Sequence, residues 1–184
     1  MTGREVIIGC SGGIAAYKTA ALVSQLVQAG AGVTVVMTAA AREFIGSATF
    51  AALTGKPVAE HVFDDVRYPL GAHIELARQG HLLCVAPATA NVLAKAASGM
   101  ADDLLSTLML SFTGPVLLAP AMNCEMWEKP AVQRNVSQLR NDGVHFVDPE
   151  EGWLSCRTRG MGRMAAPERI FEAIGELLQQ RRVV

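Results

Sequence analysis

Apolar residues gather in four short runs: Val6–Cys10, Val33–Met37, Leu82–Ala86 and Pro115–Ala119. Each is rich in Val or Leu and is followed by Gly, Pro, Ser or Thr. Continuous rather than alternating apolar character predicts parallel strands covered on both faces. Between the runs the apolar spacing changes to a helical period. It predicts helices over Ile14–Ala29, stopped by Gly30; over Asn91–Ser98 and Asp102–Ser111, broken near Gly99; and over Pro130–Asn141, stopped by Asp142-Gly143. Val144–Val147 predicts a further strand. Pro167–Gln180 is amphipathic with proline at its start and predicts the C-terminal helix.

Strand alternating with helix, with strands of this kind, predicts an α/β fold: a doubly wound, flavodoxin-like or Rossmann-like parallel sheet with helices on both faces. Ligands of such sheets bind beyond the carboxyl ends of the strands. No repeat, low-complexity stretch or linker interrupts the pattern, so 1–184 is expected to be a single domain. Residues 148–166 carry Gly, Pro and Arg with no period, and are expected to form a long functional or mobile loop.

The chain is 51% hydrophobic, 18% charged and only 5% aromatic, so its core must be aliphatic. So little charge fits either a large core or a surface covered by other subunits. The net charge of −1 gives no basis for binding nucleic acid or an anionic membrane. No apolar run approaches the roughly 20 residues of a membrane span. The first 13 residues pass from a charged start straight into a strand, so no signal segment is expected. Cys10, Cys84, Cys124 and Cys156 form neither a CxxC pair nor a metal-ligand cluster. No metal is expected, and a reducing, cytoplasmic setting fits best.

Four stretches could carry chemistry. Gly9-Cys10-Ser11-Gly12-Gly13-Ile14 joins the first strand to its helix. Its glycines would let backbone amides approach an anion at a helix start. It is not GxGxxG, has no acidic residue about 20 positions on, and is not a Walker loop. Thr38, ending the second strand, could add a hydroxyl, which suits a mononucleotide phosphate better than a dinucleotide. The same residues would also serve as a plain strand–helix turn. Ala86-Pro87-Ala88-Thr89-Ala90-Asn91 could admit a flat ring near the backbone, or Thr89 could simply cap a helix. His73, placed in a loop just before a short helix, is either an ordinary surface or capping residue or a proton carrier; His61, His81 and His145 read as structural or surface. In Trp153–Met164, Cys156 is followed closely by Arg157 and Arg159, which would lower its thiol pKa. Gly160 and Gly162 suggest a flexible flap, and a disordered basic loop is the alternative. Finally, Pro120-Ala121-Met122-Asn123-Cys124-Glu125-Met126-Trp127 sets an Asn among Met and Trp just past a strand, an odd composition for a surface loop.

That last stretch resembles the PAMNxxMW signature of the flavin-dependent cysteine decarboxylases. The resemblance extends to the APATAN-type segment 86–91, the Gly-Met-Ala-Asp-Asp run 99–103, the HIELA run around His73, and Cys156 with Gly160-Met161-Gly162-Arg163-Met164. Ser155, Arg157 and Thr158 depart from the family's usual Ala, Gly and acid, which bears on the exact substrate. The resemblance implies FMN as cofactor and a cysteine-terminated substrate, first of all phosphopantothenoylcysteine on the way to coenzyme A. The substrate cysteine would be oxidised at Cβ, lose its carboxylate to leave an enethiolate, and be reduced again. His73 would then be the base, Asn123 the carboxylate or amide holder and Cys156 the acid. Ser11, Gly12, Gly13, Thr38, Ala88, Thr89 and Ala121 would line FMN. Met122, Met126 and Trp127 would shape the pocket, with Asn123, Met126, Arg157 and Arg163 on the substrate. A homotrimer, or a dodecamer built from trimers, is implied, with flavin between subunits and a synthetase acting alongside. The alternatives are a peptidyl-cysteine decarboxylase of the lantibiotic-maturation type, a flavin prenyltransferase, and a non-catalytic FMN-binding regulator. The motif around Asn123 and the presence of Cys156 weigh against the prenyltransferase; His73, Asn123 and Cys156 together weigh against the regulator.

Overall fold

The computed structural model describes residues 1–64 and 66–180. The sheet has β1 (Glu5–Cys10), β2 (Gly32–Met37), β3 (Leu82–Ala88), β4 (Val116–Pro120) and β5 (His145–Phe146) in the order β2-β1-β3-β4-β5. Every pairing is parallel. This is the doubly wound, flavodoxin-like arrangement expected. Pro120, expected to stop β4, is instead its last residue, because proline at a strand end forfeits little of the ladder.

Alternate residues of each strand feed two separate cores. Val6, Ile8, Leu82, Cys84, Leu117 and Val33 face one; Ile7, Leu83, Val85 and Leu118 face the other. On the first face lie α1 (Ala16–Gln28), α2 (Ser47–Thr54) and, after the rest of the chain has passed, α8 (Pro167–Gln180). On the second lie α3 (Ala72–Gln79), α4 (Ala90–Ser98), α5 (Leu104–Ser111) and α7 (Pro130–Asn141). The remaining helix, α6 (Cys124–Trp127), is a single short turn after β4. In α8, Ile170, Ile174, Leu177 and Leu178 form the buried stripe of an amphipathic helix. Truncating such a core Ile or Leu to Ala costs about 2–5 kcal/mol. The break between α4 and α5 falls at Gly99, which ends α4 at φ 68°, a left-handed conformation suited to glycine.

Two expectations are corrected here. His73 lies within the first turn of α3 rather than in a loop before it. Residues 148–166 are not a structureless loop: β6 (Glu150–Trp153) and β7 (Arg159–Arg163) pair as an antiparallel hairpin. Its strands are mostly exposed and contain Gly152, Gly160 and Gly162, so no apolar alternation marks them.

Candidate active site

The strand order reverses between β1 and β3, which leaves a crevice at their carboxyl ends. Ser11 stitches its two walls together. The buried Ser11 hydroxyl donates to the Pro87 carbonyl at 2.7 Å and accepts from the Thr89 amide at 3.2 Å. At Gly12 the next loop comes so close that a Cβ would lie 2.4 Å from the Ala40 Cβ and 2.9 Å from its carbonyl carbon. Among the described residues no acceptor meets the backbone N–H of Gly12 or Gly13. Two free amides just before a 13-residue helix are a ready anion cradle. Thr38 and Thr89 both act as helix caps, accepting from the Ala41 and Val92 amides.

A cavity of about 900 Å³ opens above this crevice. Ser11, Gly12, Gly13, Thr38, Thr89 and Ala121 line it, as do Met122, Asn123, Met126, Cys156 and Arg163. Of the residues expected there, Ala88 is fully buried in the second core and does not reach the lining. Arg157 stands exposed at φ 65° on the hairpin turn and does not reach it either. Trp127 packs against the second core; the tryptophan at the cavity is Trp153. Sequence reasoning missed Trp153 in this role, along with Ile14, Tyr17 and Phe44. All four are exposed large apolar residues around the cavity. It also missed Lys18, whose buried ammonium donates to the Met164 carbonyl at 2.7 Å. Burial, and then the neighbouring Arg163, hold the Lys18 pKa below its ordinary value. A lysine inside an otherwise apolar helix face gives little signal in sequence, because its stem reads as part of the period.

The loop after β4 and the hairpin are locked together. Met122 donates its amide to the Gly162 carbonyl at 2.9 Å. A Cβ on Gly162 would strike the Met122 carbonyl oxygen at 2.3 Å, and one on Gly160 would lie 2.8 Å from the Cys124 Cβ. The hairpin glycines therefore serve close packing, not the flexibility expected of them. Asn123 caps α6, its Oδ1 accepting from the Met126 amide at 3.0 Å. Its Nδ2 points to the Cys156 Sγ at 3.7 Å. Asn123 and Cys156, 33 positions apart, thus meet at one point of the cavity wall.

The Cys156 thiol pKa is lowered, as expected, but not by the flanking arginines. The Thr158 hydroxyl, 3.1 Å from Sγ, is the main cause; the Thr158 and Asn123 N–H groups add to it. Burial does the reverse at Cys10 and Cys84, whose thiols are pushed up to about 12. A lowered pKa means more thiolate at neutral pH. Thr158→Val is therefore expected to move the alkylation profile of Cys156 to higher pH, measured by iodoacetamide labelling and peptide mapping. An unchanged profile would show that the hydroxyl is not the cause.

His73 is not brought to this cavity. It lies on α3, beside α5, where Ser111 donates to its backbone carbonyl. Its Nδ1 is buried without a hydrogen-bond partner. His81, by contrast, is structural, its Nδ1 accepting from the Glu5 amide at 3.0 Å.

The family model described as Flavoprotein matches residues 1–179. Among curated proteins, the chain is 48% identical over 172 residues to the coenzyme A biosynthesis bifunctional protein CoaBC of Bacillus subtilis (strain 168). The match covers 94% of this chain and 42% of that protein, so the chain spans less than half of this relative. Among solved structures it is similar to the FMN-dependent cysteine decarboxylase SpaF, with a TM-score of 0.84, 35% identity and 97% of each chain covered. It is also similar to a cysteine-to-serine mutant of PPC decarboxylase complexed with pantothenoylaminoethenethiol. There the TM-score is 0.85, with 28% identity, 96% of this chain and 98% of that one.

Proposed function

Because the chain belongs to the Flavoprotein family, with FMN-dependent cysteine decarboxylases among its members, we propose that it is an FMN-dependent carboxy-lyase acting on phosphopantothenoylcysteine in coenzyme A biosynthesis. The observation that carries this reading is the Asn123–Cys156 contact at the wall of a cavity floored by an anion cradle. That contact also speaks against a non-catalytic flavin carrier, which would have no need of it. The peptidyl-cysteine alternative gains nothing specific from the cavity.

The residues present fit FMN. The free amides of Gly12 and Gly13 suit its single phosphate, with Ser11, Thr38, Thr89 and Ala121 around them. The apolar remainder suits a flat ring, and about 900 Å³ leaves room for substrate beside it. Bound there, FMN supplies reversible two-electron oxidation at the substrate Cβ. The chain supplies position and protons. The Asn123 Oδ1 is spent on the cap and one Nδ2 hydrogen faces Cys156, which leaves the second Nδ2 hydrogen to donate to the substrate carboxylate. Met126 and Arg163 flank the substrate, and Arg157 reaches it only if the hairpin turn tilts inward. Cys156 carries the proton delivered to the enethiolate left by decarboxylation, and His73 is the base. The pantothenoylaminoethenethiol held by the serine mutant is an enethiol of the kind this assignment expects once Cys156 is replaced.

His73 lies outside its own chain's cavity, so this reading needs a second copy to bring it there. The exposed apolar Ile14, Tyr17, Phe44 and Trp153 around the mouth give that copy a surface to cover. We take the assembly to be a trimer or a dodecamer of trimers and the 184 residues to act as one domain. The synthetase that makes the substrate is supplied by another polypeptide or by a further part of this one. No helix among the described residues is long and apolar enough to cross a membrane, and all four cysteines are free thiols. We place the reaction in the cytoplasm.

The test is anaerobic incubation of the purified protein with phosphopantothenoylcysteine and, separately, with cysteine-ending peptides, read by product mass. A colourless protein that takes up no FMN on reconstitution would sink the flavin assignment. Faster turnover of the peptides would replace the substrate. Gly12→Val is expected to keep the fold by circular dichroism and lose flavin, because its side chain must displace the Ala40 backbone. Full flavin content in that variant would remove the loop from the cofactor site.

A further inference from the structure

We propose that Cys124 and Cys156 form a reversible disulfide that fastens the exposed turn of the β6–β7 hairpin to the start of α6. Both sulfurs already address one hydroxyl: Thr158 Oγ1 is 3.1 Å from the Cys156 Sγ and 3.9 Å from the Cys124 Sγ. No side chain separates the hairpin from Cys124, since Gly160 passes directly over it. Cys156 is exposed, on a turn held by two backbone hydrogen bonds, Leu154 N–H to the Thr158 carbonyl and Arg157 N–H to the Leu154 carbonyl. Closing the bond requires a tilt of this turn and a side-chain rotation that carry one sulfur past the shared hydroxyl to the other. A disulfide needs a Cα separation of about 4.4–6.8 Å. Cys10 and Cys84 are buried in the cores and take no part.

The chemistry balances with a hydroperoxide as oxidant. The Cys156 thiolate attacks the O–O bond, giving a sulfenic acid and releasing water or the alcohol. The Cys124 sulfur then attacks the Cys156 sulfur, its proton leaving with the hydroxyl as water. Two thiols lose two electrons, and the peroxide gains them. The bond removes the thiol that the proposed reaction uses as acid. The pairing itself does not rest on that reading; only its effect on turnover does.

The test treats the full-length flavin-loaded protein with a small excess of hydrogen peroxide, blocks remaining thiols, and digests without reduction. The expected result is a linked peptide joining Cys124 to Cys156 and a chain lighter by about 2 Da. Cys10 and Cys84 stay alkylatable after denaturation. Formation of the fully reduced aminothiol falls at least about tenfold, and dithiothreitol restores it. In Cys124→Ala, with no resolving thiol, Cys156 goes on to sulfinic acid and dithiothreitol no longer restores activity. Oxygen on Cys156 with Cys124 still alkylatable in the unmutated protein overturns the proposal. An untreated protein that does not decarboxylate refutes the proposed function instead, and the linked peptide still decides the disulfide.

Discussion

Replacing Cys156 by serine is expected to cut formation of the fully reduced aminothiol by about 10²–10⁴-fold, the usual worth of a positioned general acid. Decarboxylation itself should survive. The groups assigned to it, His73 and Asn123, are untouched, and serine nearly preserves the shape of the cavity wall. What is lost is acidity. A thiol has a reference pKa of about 8.5, and Thr158 holds this one lower still. A serine hydroxyl in the same place holds its proton far too tightly. The variant should accumulate an enethiol product lighter by two hydrogens, roughly one per flavin, while the yellow colour fades on substrate addition and does not return. Full turnover to the reduced aminothiol would strip Cys156 of its role and leave the hairpin as a substrate grip.

Long-range chemistry of this kind was partly open to sequence reading. The strands were legible because burial on both faces forces Val and Leu runs, and α7 and α8 because proline starts them. Helix α2 was not, since Ser47–Thr54 has no polar face to set a period and buries only Phe50. The short 3₁₀ segment Ala39–Glu43 was hidden by its run of alanines. The β6–β7 hairpin escaped because its glycines are chosen for contact with Met122 and Cys124, which only the folded chain brings near. Cys156 was found, but the cause of its acidity was misread. Sequence neighbours suggested arginines, whereas hydrogen-bond direction favours Thr158 and Asn123. Trp127 and Trp153 could not be told apart by composition. One lies on the inner side of a short helix, the other on an exposed strand at the mouth.

His73→Asn is expected to lower decarboxylation about 10²–10⁴-fold, with flavin content and assembly size unchanged, since the amide keeps size and hydrogen bonding but not the basic nitrogen. The position of His73 makes a stronger version of the test possible. In one chain, Asn123 and Cys156 line the cavity and His73 does not. If each working site takes its cavity from one copy and His73 from the next, two inactive variants can repair each other. Co-expressing His73→Asn and Cys156→Ser chains with different tags, and isolating the mixed trimers, should then restore turnover to about a third of normal. In a cyclic trimer a site is whole only when the Cys156-bearing copy sits beside the His73-bearing one on the correct side, and every mixed trimer has roughly one such junction in three. Each variant assembled alone should remain inactive. If mixed assemblies form, bind flavin and stay as inactive as their parents, His73 does not serve a neighbour's cavity. Its unpartnered Nδ1 would then belong to the packing of α3 on α5, and the base would have to be sought among the groups that do line the cavity, with Lys18, of lowered pKa, first among them.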